Sequence, residues 1–178
     1  MKKIFGLFVI VVLAAGFSPF CEAVEKLEVR SSAFGEGASL PSDFTCDGVD
    51  RSPPIAWSSV PKATQSIVVI VYDPDAPMGH WIHWLIYDLP HSLTQLPESL
   101  PAGEAILLEG GFQGRNDFGN IGYGGPCPPS GSHRYVFKVH ALDKILHLGP
   151  GVTLEPLELA MAGHVLAEGV LTGTYARS

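Results

Sequence analysis

The sequence is poor in basic residues, in cysteine and in long apolar runs. Its 178 residues contain 11 Lys and Arg against 18 Asp and Glu, which gives a formal net charge of −7. This acidic balance argues against nucleic acid or an anionic membrane surface as a partner, so a bound anion must be held by local groups. None of the 3 cysteines lies in a CxxC pair, which argues against the common zinc and redox motifs. Internal repeats and low-complexity segments are also missing from the sequence.

The N-terminus has the features of a secretory signal peptide. Two lysines precede an apolar run over residues 4–17, and Cys21 and Ala23 supply the small residues of a cleavage site. A membrane anchor is the alternative, but this run is shorter than the roughly 20 residues that cross a bilayer. A lipidated Cys21 is disfavoured because a bulky ring stands directly before it. We expect residues 1–23 to be a signal peptide and residues 24–178 to form one periplasmic or secreted domain without a stable membrane anchor.

Cys46 and Cys127 are the cysteines that remain after cleavage, and both lie beside turn-forming residues. In an oxidising compartment, an isolated pair of this kind favours a disulfide. The closed loop would span 81 residues, for which chain entropy gives an upper estimate of about 4 kcal/mol. Two separate buried thiols are the alternative, because the sequence does not show whether the two Cα atoms come within bridging distance.

Glycine and proline are abundant, with 20 and 15 residues spread along the chain, and they favour short strands and turns over a helical bundle. Runs rich in β-branched and aromatic residues predict strong strands at residues 67–72, 81–87 and 134–140. The first of these is apolar on both faces, so we expect it at the centre of a sheet. Weaker patterns predict further strands at residues 27–31, 105–109 and 170–175.

One helix is predicted near the C-terminus. Thr153 can cap its start, a proline lies in its first turn, and apolar residues at helical spacing continue to Leu166. Gly169 is the expected stop. Residues 97–103 and 110–132 are rich in Gly, Pro and Asn and are expected to be loops, and loops of such length in a compact domain are usually functional.

The segment directly after strand 67–72 is acidic and rigid. It reads DPDAP and begins with Asp73, Pro74 and Asp75. Its prolines restrict the backbone and end the strand, so both carboxylates are held near the strand end. Taken alone, an ordinary Asx-type turn is the simpler interpretation.

His83 lies in the middle of an otherwise apolar strand. Strict alternation places His83 on the same face as Leu85 and Tyr87. A buried imidazole needs a hydrogen-bond partner, since an unsatisfied polar group costs about 1–3 kcal/mol. A carboxylate is the expected partner, and a core histidine bound to a backbone carbonyl is the alternative.

The loop before strand 134–140 contains three prolines and three glycines, so much of its shape is set before any ligand arrives. It leads His133 and Tyr135 onto one face of the strand. Arg134 points the other way. For Arg134 we expect a structural ion pair with an acid such as Asp117 or Asp143 rather than contact with a ligand.

Three of these segments together resemble the phosphatidylethanolamine-binding protein family, in its bacterial Raf-kinase-inhibitor-like branch. They are DPDAP from Asp73, the step His83-Trp84, and GPCPPSGSHRY over residues 125–135. The resemblance covers nearly all of the chain after the predicted signal peptide. It implies a mainly β fold of two packed antiparallel sheets with Greek-key connections, one helix in the C-terminal region, and a small cavity.

The resemblance also implies which side chains surround that cavity. The expected set is Asp73, His83, His133 and Tyr135, with Pro74 and Pro129 as wall residues and Asp75, Tyr123 and Gly125 as neighbours. Two imidazoles and a tyrosine hydroxyl can hold a phosphate or carboxylate without a net positive charge. Because Asp73 would repel an anion unless a proton is shared, we expect anion affinity to rise as pH falls through the histidine range.

These expectations describe an exported, non-enzymatic binding protein for a small anionic ligand, such as a phospholipid headgroup, that needs no cofactor. Modulation of a protein partner, as in kinase- or protease-inhibiting members of the family, is part of the same hypothesis. The alternative is a hydrolase that uses Asp73 and a histidine for acid-base catalysis, although no serine or cysteine lies in a recognisable nucleophile setting. A metal held by Asp73 and two histidines is a further hypothesis, but the spacing matches no known metal motif.

Overall fold

The computed structural model describes residues 24–177, so the predicted signal peptide lies outside the described residues. Within that range the chain forms nine β-strands, one short 3-10 helix at Ser42–Phe44 and one α-helix. The strands are β1 (Glu25–Lys26), β2 (Glu28–Arg30), β3 (Ile55–Ser58), β4 (Ser66–Asp73), β5 (Trp81–Pro90), β6 (Gln95–Leu96), β7 (Phe112–Gln113), β8 (Ser132–Leu142) and β9 (Val165–Ala176). The α-helix, α1, spans Leu154–Met161. No helix in residues 24–177 is long and apolar enough to span a bilayer.

The strands form two sheets. The large sheet has the order β1-β9-β8-β4-β5-β7, and the small sheet has the order β2-β3-β6. Neighbouring strands are antiparallel except for β1 and β9, which pair in parallel. Because β8 lies beside β4 and not beside β7, the chain crosses from one side of the β4–β5 hairpin to the other, as in a Greek-key connection. The predicted mainly β fold of two sheets with one helix is confirmed.

The large sheet is covered on both faces. Val69 and Val71 of β4 pack toward the small sheet, where Trp57 is buried in the same cluster. Val68 lies on the opposite face and packs with the cluster that contains Leu157 of α1. Since successive side chains of a strand alternate between faces, a strand covered on both sides must be apolar throughout. The predicted central position of β4 is therefore confirmed.

The α-helix is shorter than the sequence indicates. It ends at Met161, and Gly163 then adopts a φ of +77°, a left-handed conformation in which helices commonly end. The following residues form β9, which pairs with β8 from Val165 onward. The prediction of a helix through Leu166 to a stop at Gly169 is therefore wrong, because pairing with β8 outweighs the local helical spacing.

One of the weaker strand predictions also needs correction. Residues 105–109 form turns and one isolated bridge, from Ile106 to Phe112, because two glycines with positive φ turn the chain back immediately. Leu108 of this segment is fully exposed. The strand predicted at residues 27–31 is present as β2 of the small sheet, and the short β1 before it joins the large sheet.

Cys46 and Cys127 form a disulfide. Their Cα atoms lie 5.4 Å apart, within the usual range for such a bond. The backbone N–H of Cys46 also donates to the carbonyl of Pro126 at 3.1 Å. The bond ties the turn after the 3-10 helix to the loop before β8, so the predicted pairing is confirmed over the alternative of two separate thiols.

Candidate functional site

A β-bulge aims the side chain of His83. In the pairing of β4 with β5, Val71 lies opposite Trp84 and Tyr72 lies opposite Ile82, which leaves His83 as an extra residue. The bulge places His83 and Trp84 on the face that packs toward the small sheet, while Leu85 lies on the other face. The predicted grouping of His83 with Leu85 and Tyr87 is therefore wrong, since it assumed uninterrupted alternation.

Side chains from three adjacent strands surround one cavity of about 380 Å³. Asp73 ends β4, His83 lies in β5, and His133 and Tyr135 lie at the start of β8. Because β4 lies between β5 and β8, these positions meet at the same end of the large sheet. The four side chains and Pro129 all line this cavity. The remaining wall residues are Ala76, Pro77, Met78, Trp81, Phe118, Cys127 and Pro128.

Asp73 joins the turn after β4 to the first residues of β8. Its Oδ1 accepts the backbone N–H of Asp75 at 2.7 Å, and its Oδ2 accepts a hydrogen bond from Nδ1 of His133, also at 2.7 Å. Both Asp73 and His133 are buried. Since Nδ1 of His133 is used by the carboxylate, Nε2 is the ring nitrogen left for a ligand.

His83 is held by the backbone. Its Nδ1 donates to the carbonyl of Gly124 at 2.5 Å, and the Gly124 N–H donates back to the His83 carbonyl at 2.9 Å. We assign the Nδ1–H tautomer from this partner, because a carbonyl accepts only a donor. Burial lowers the pKa of His83, opposed by the hydrogen bond to Gly124 and by the charges of Asp73 and Asp117. At neutral pH the ring is therefore uncharged, and its Nε2 carries a lone pair.

Two hydrogen-bond donors of the cavity walls are buried and have no partner among residues 24–177. They are the hydroxyl of Tyr135 and the indole N–H of Trp81. Burial and the charges of Asp73 and Asp75 raise the pKa of Tyr135 well above its usual value, so the side chain remains a neutral phenol. The Cys127 backbone amide offsets this rise in part, although it does not reach hydrogen-bonding geometry with the hydroxyl. Burying such donors is costly unless something accepts from them.

Asp75 does not line the cavity and instead forms an ion pair. Both of its carboxylate oxygens accept from the Arg134 guanidinium, at 2.9 and 2.7 Å, and the Arg134 backbone N–H donates to it as well. These hydrogen bonds hold the pKa of Asp75 well below its usual range. Arg134 thus has the structural role that we predicted, but the expected partners Asp117 and Asp143 were wrong. Those two carboxylates accept hydrogen bonds from the Ile82 backbone and from His164.

Three other predicted site residues also lie outside the cavity wall. Pro74 was predicted as a wall residue, but it belongs to the turn after β4 and does not line the cavity. Tyr123 is buried in the core between the sheets, and its hydroxyl donates to the Phe44 carbonyl at 2.8 Å. Gly125 donates its backbone N–H to Asp50 at 2.7 Å, and a Cβ at this glycine would collide with that carboxylate. Tyr123 and Gly125 therefore hold the loop before β8 through contacts outside the cavity.

The mouth of the cavity is apolar. Met78 is 91% exposed and Phe118 is 44% exposed, and both belong to the cavity wall. The ring of Phe118 lies edge-on to His83 and to Trp81, with centroid distances of 5.2 and 5.4 Å. The sequence prediction missed Met78 and Phe118. Trp81 was a possible border residue from the sequence, and it does line the cavity, since it precedes His83 by two positions and shares its face.

The geometry does not favour a metal site. Within residues 24–177, no group of three or more His, Cys, Asp or Glu side chains is placed to hold a metal ion. Asp73 and His133 are bonded to each other. The arrangement instead suits a ligand that accepts hydrogen bonds.

The fold and the cavity define a two-sheet β protein with a small donor-lined cavity at one end of its large sheet. A sequence profile described as phosphatidylethanolamine-binding protein matches residues 30–176. A UPF0098 protein of Methanothermobacter thermautotrophicus is 47% identical over 152 residues, which cover 85% of this chain and 99% of that protein. A UPF0098 protein of Aquifex aeolicus is 45% identical over 168 residues, covering 93% and 97%.

Solved structures agree with this assignment. YbcL of E. coli, described as a member of the mammalian PEBP family, has a TM-score of 0.79 and 34% identity and covers 86% of this chain and 99% of its own. CT736 of Chlamydia trachomatis, described as a PEBP homologue, has a TM-score of 0.79 and 40% identity with the same coverage. The chain belongs to the phosphatidylethanolamine-binding protein family, and the predicted resemblance to bacterial members is confirmed.

Proposed function

We propose that this protein binds a small phosphate- or carboxylate-bearing ligand in the cavity of Asp73, His83, His133 and Tyr135, without turning it over. The observation that supports this best is the pair of buried donors without partners, on Tyr135 and Trp81, in the walls of one cavity. The oxygens of an anion would accept hydrogen bonds from both. Binding would thus remove the cost of two unsatisfied donors, about 1–3 kcal/mol each.

The two histidines would add donors when they are protonated. His83 and His133 both use Nδ1 for a protein acceptor, which leaves Nε2 for the ligand. A neutral ring offers only a lone pair there, whereas a protonated ring offers an N–H and a positive charge. Asp73 would compensate the charge of a protonated His133. The site itself would therefore carry little net charge when it accepts the anion.

The apolar mouth favours an organic anion over a bare inorganic one. Met78, Phe118 and Pro129 would contact the part of the ligand that follows the charged group. A phospholipid headgroup has this form, with a phosphate at one end of an ester. The description of the family as phosphatidylethanolamine-binding supports the choice of phosphoethanolamine as the test ligand.

Titration calorimetry with phosphate, phosphoethanolamine and acetate tests the proposal. Tyr135→Phe removes a donor that makes no hydrogen bond in the free protein. We therefore expect a loss of affinity of about fivefold to tenfold, or about 1–1.5 kcal/mol, without a loss of thermal stability. If wild type binds none of the three anions, the proposal fails.

Tyr123→Phe is the matched control. It removes a tyrosine hydroxyl that donates to the Phe44 carbonyl outside the cavity. Here we expect a stability loss of about 1 kcal/mol and unchanged anion affinity. Equal effects of the two substitutions on affinity would show that Tyr135 does not contact the ligand.

The wall residues do not favour the hydrolase alternative. Within the described part of the chain, no serine or threonine lines the cavity, and the sulfur of Cys127 is bound in the disulfide. The cavity therefore offers no serine, threonine or cysteine nucleophile. Assays of phosphoester and acyl-ester hydrolysis, with and without added divalent metal, are expected to show no turnover. Turnover abolished by His133→Gln would replace the binding proposal with catalysis.

We also propose that a protein partner could use the same cavity, by inserting an acidic or phosphorylated side chain. The exposed Met78 at the mouth would then contribute apolar contact to the interface. In that case phosphoethanolamine should displace the partner. Partner binding that persists at saturating phosphoethanolamine would place the interface elsewhere.

Export of the protein is the last part of the proposal. The basic start, apolar run and cleavage pattern of residues 1–23 support it. The disulfide supports it as well, since such bonds persist mainly in oxidising compartments. Intact mass spectrometry of the periplasmic and medium fractions should find a chain that begins at Val24. A chain that retains residues 1–23 in the cytoplasmic fraction would contradict export.

A further inference from the structure

A second cavity lies on the opposite face of the large sheet, between the sheet and α1. It has a volume of about 350 Å³, which is within the usual range of small-molecule sites. Ile70, Ile82 and Val165 line it from the sheet, and Leu154 and Met161 line it from α1. None of its wall residues belongs to the cavity of Asp73, His83, His133 and Tyr135, which we call the anion cavity after the ligand proposed for it. The two cavities are therefore separate sites.

His140 is a buried polar side chain of this cavity, whose wall also includes the polar or charged side chains of Tyr72, His80, Lys138 and Glu158. Its side chain is 9% exposed and lines the cavity from β8. Nδ1 is buried without a hydrogen-bond partner, because the nearest carboxylate oxygen, of Glu168, lies 3.6 Å away. Burial and the neighbouring Lys138 lower the pKa of His140 to about 4, against the opposing charge of Glu168. At neutral pH the imidazole is uncharged, so it can exchange hydrogen bonds with a ligand without carrying a charge of its own.

The charges around His140 disfavour an anionic ligand. Lys138 is the cationic wall residue, and its Nζ is already paired with the carboxylate of Glu168 at 2.8 Å. Glu158 contributes a further negative charge from α1. An anionic head would meet the Glu158 carboxylate and an ammonium that Glu168 already neutralises, whereas a hydroxyl would meet no charge penalty.

We propose that this cavity is a second ligand site, which takes a small uncharged amphiphile. The apolar body lies against Ile70, Ile82 and Met161, and a hydroxyl group exchanges a hydrogen bond with the imidazole of His140. This ligand class differs from that of the anion cavity in charge. The site does not depend on the function proposed for the other face of the sheet.

NMR titration of isotope-labelled protein with 1-octanol and with octanoate tests this inference. The two probes share one chain length and differ in the charge of the head. We expect saturable shifts of the His140 ring nitrogens and the Met161 methyl with octanol, and at least about tenfold weaker binding of octanoate. Saturating phosphate should leave the octanol titration unchanged. The proposal would be overturned if octanol shifted the signals of Tyr135 and Trp81, shifted signals scattered over the surface, or shifted none. Equal binding of octanol and octanoate would overturn it as well.

Two substitutions separate a ligand contact from a structural role. His140→Phe keeps the ring but removes both nitrogens, so it should weaken octanol binding about tenfold and leave phosphate binding unchanged. Val165→Phe narrows the cavity and should weaken octanol and octanoate together. Tyr135→Phe is the control in the other cavity and should leave octanol binding as in wild type. Unaltered octanol affinity in both His140→Phe and Val165→Phe would overturn the assignment. The wild-type titration decides the matter if a variant fails to fold.

Discussion

The two histidines of the anion cavity use the same ring nitrogen but have different partners. Nδ1 of His83 donates to the Gly124 carbonyl, whereas Nδ1 of His133 donates to the Asp73 carboxylate. Burial is the main reason why the pKa of His83 is lowered. An anion that contacts Nε2 of His83 needs this ring protonated, so its binding must be linked to proton uptake.

We expect anion affinity to rise as pH falls. The pKa of His83 in the free protein lies below its usual value, and a bound anion would raise it. The gain in affinity therefore develops between the higher pKa of the complex and the lower pKa of the free protein. Sulfate is a suitable probe between about pH 5 and pH 8, because its charge is constant there. Calorimetry in buffers of different ionisation enthalpy would measure the proton uptake.

His83→Gln should flatten the acidic part of this pH profile, because glutamine does not titrate. His91→Gln is the control, since His91 is exposed and does not line the cavity. It should leave the profile unchanged. Sulfate affinity that is constant over the whole range in wild type would contradict proton-linked binding.

At the scale of secondary-structure elements, the turn after β4 is clamped to the start of β8. Asp73 accepts the Asp75 backbone N–H and the His133 ring, while Asp75 accepts three hydrogen bonds from Arg134. The DPDAP segment is therefore positioned by two neighbouring carboxylates that act differently. Asp73 faces the cavity, and Asp75 holds the turn from outside it.

Arg134→Met tests this division of roles. The pKa of Asp75 should rise toward its usual value, because the guanidinium that lowers it is gone. The stabilisation from a lowered carboxyl pKa is present above the unfolded-state pKa and is lost as pH falls through the folded-state pKa. The variant should thus lose a little thermal stability at neutral pH and show a weaker decline on acidification. Carboxyl NMR titration and melting curves would measure both effects.

The same variant should bind phosphate within about twofold of wild type, because Arg134 and Asp75 do not line the cavity. Arg115→Met is a control for the loss of a surface guanidinium, since Arg115 contacts the carbonyl of Gly119. A much larger loss of phosphate affinity in Arg134→Met than in Arg115→Met would mean that Arg134 contacts the ligand.

At the scale of the whole molecule, an acidic protein holds its candidate anion site with neutral donors. The net charge of −7 makes the long-range field unfavourable for anions. In the proposed binding mode, the buried donors of Tyr135 and Trp81 would contact the anion at short range, where hydrogen bonding outweighs that field. The disulfide also acts on the scale of the whole molecule, because it joins segments separated by 81 residues along the chain.

Replacing both Cys46 and Cys127 by Ser should lower the free energy of unfolding by about 2–4 kcal/mol. The reason is that the open chain gains conformational freedom in the unfolded state. Urea titration of the double variant measures the change, and removal of both cysteines avoids a free thiol. Wild-type protein under reducing conditions should match the variant. Identical midpoints for oxidised and reduced wild type would show that the bond adds no stability.

The sequence by itself determined the strands β4, β5 and β8, and its resemblance to a known family indicated the four polar side chains of the anion cavity. Apolar β-branched runs and proline-rich turns are local signals, and the motifs around Asp73 and His133 are contiguous in the chain. The pairing of Cys46 with Cys127 could also be predicted, since these are the two cysteines that remain after the predicted cleavage.

Only the tertiary structure decided what depends on contacts between distant segments. The bulge at His83, the pairing that turned the predicted end of the helix into β9, and the role of Asp75 all arise from neighbouring strands. The apolar mouth and the cavity beside His140 are assembled from several elements that share no local pattern. Hydrogen-bond partners and burial are properties of the packed chain, so a single sequence does not specify them.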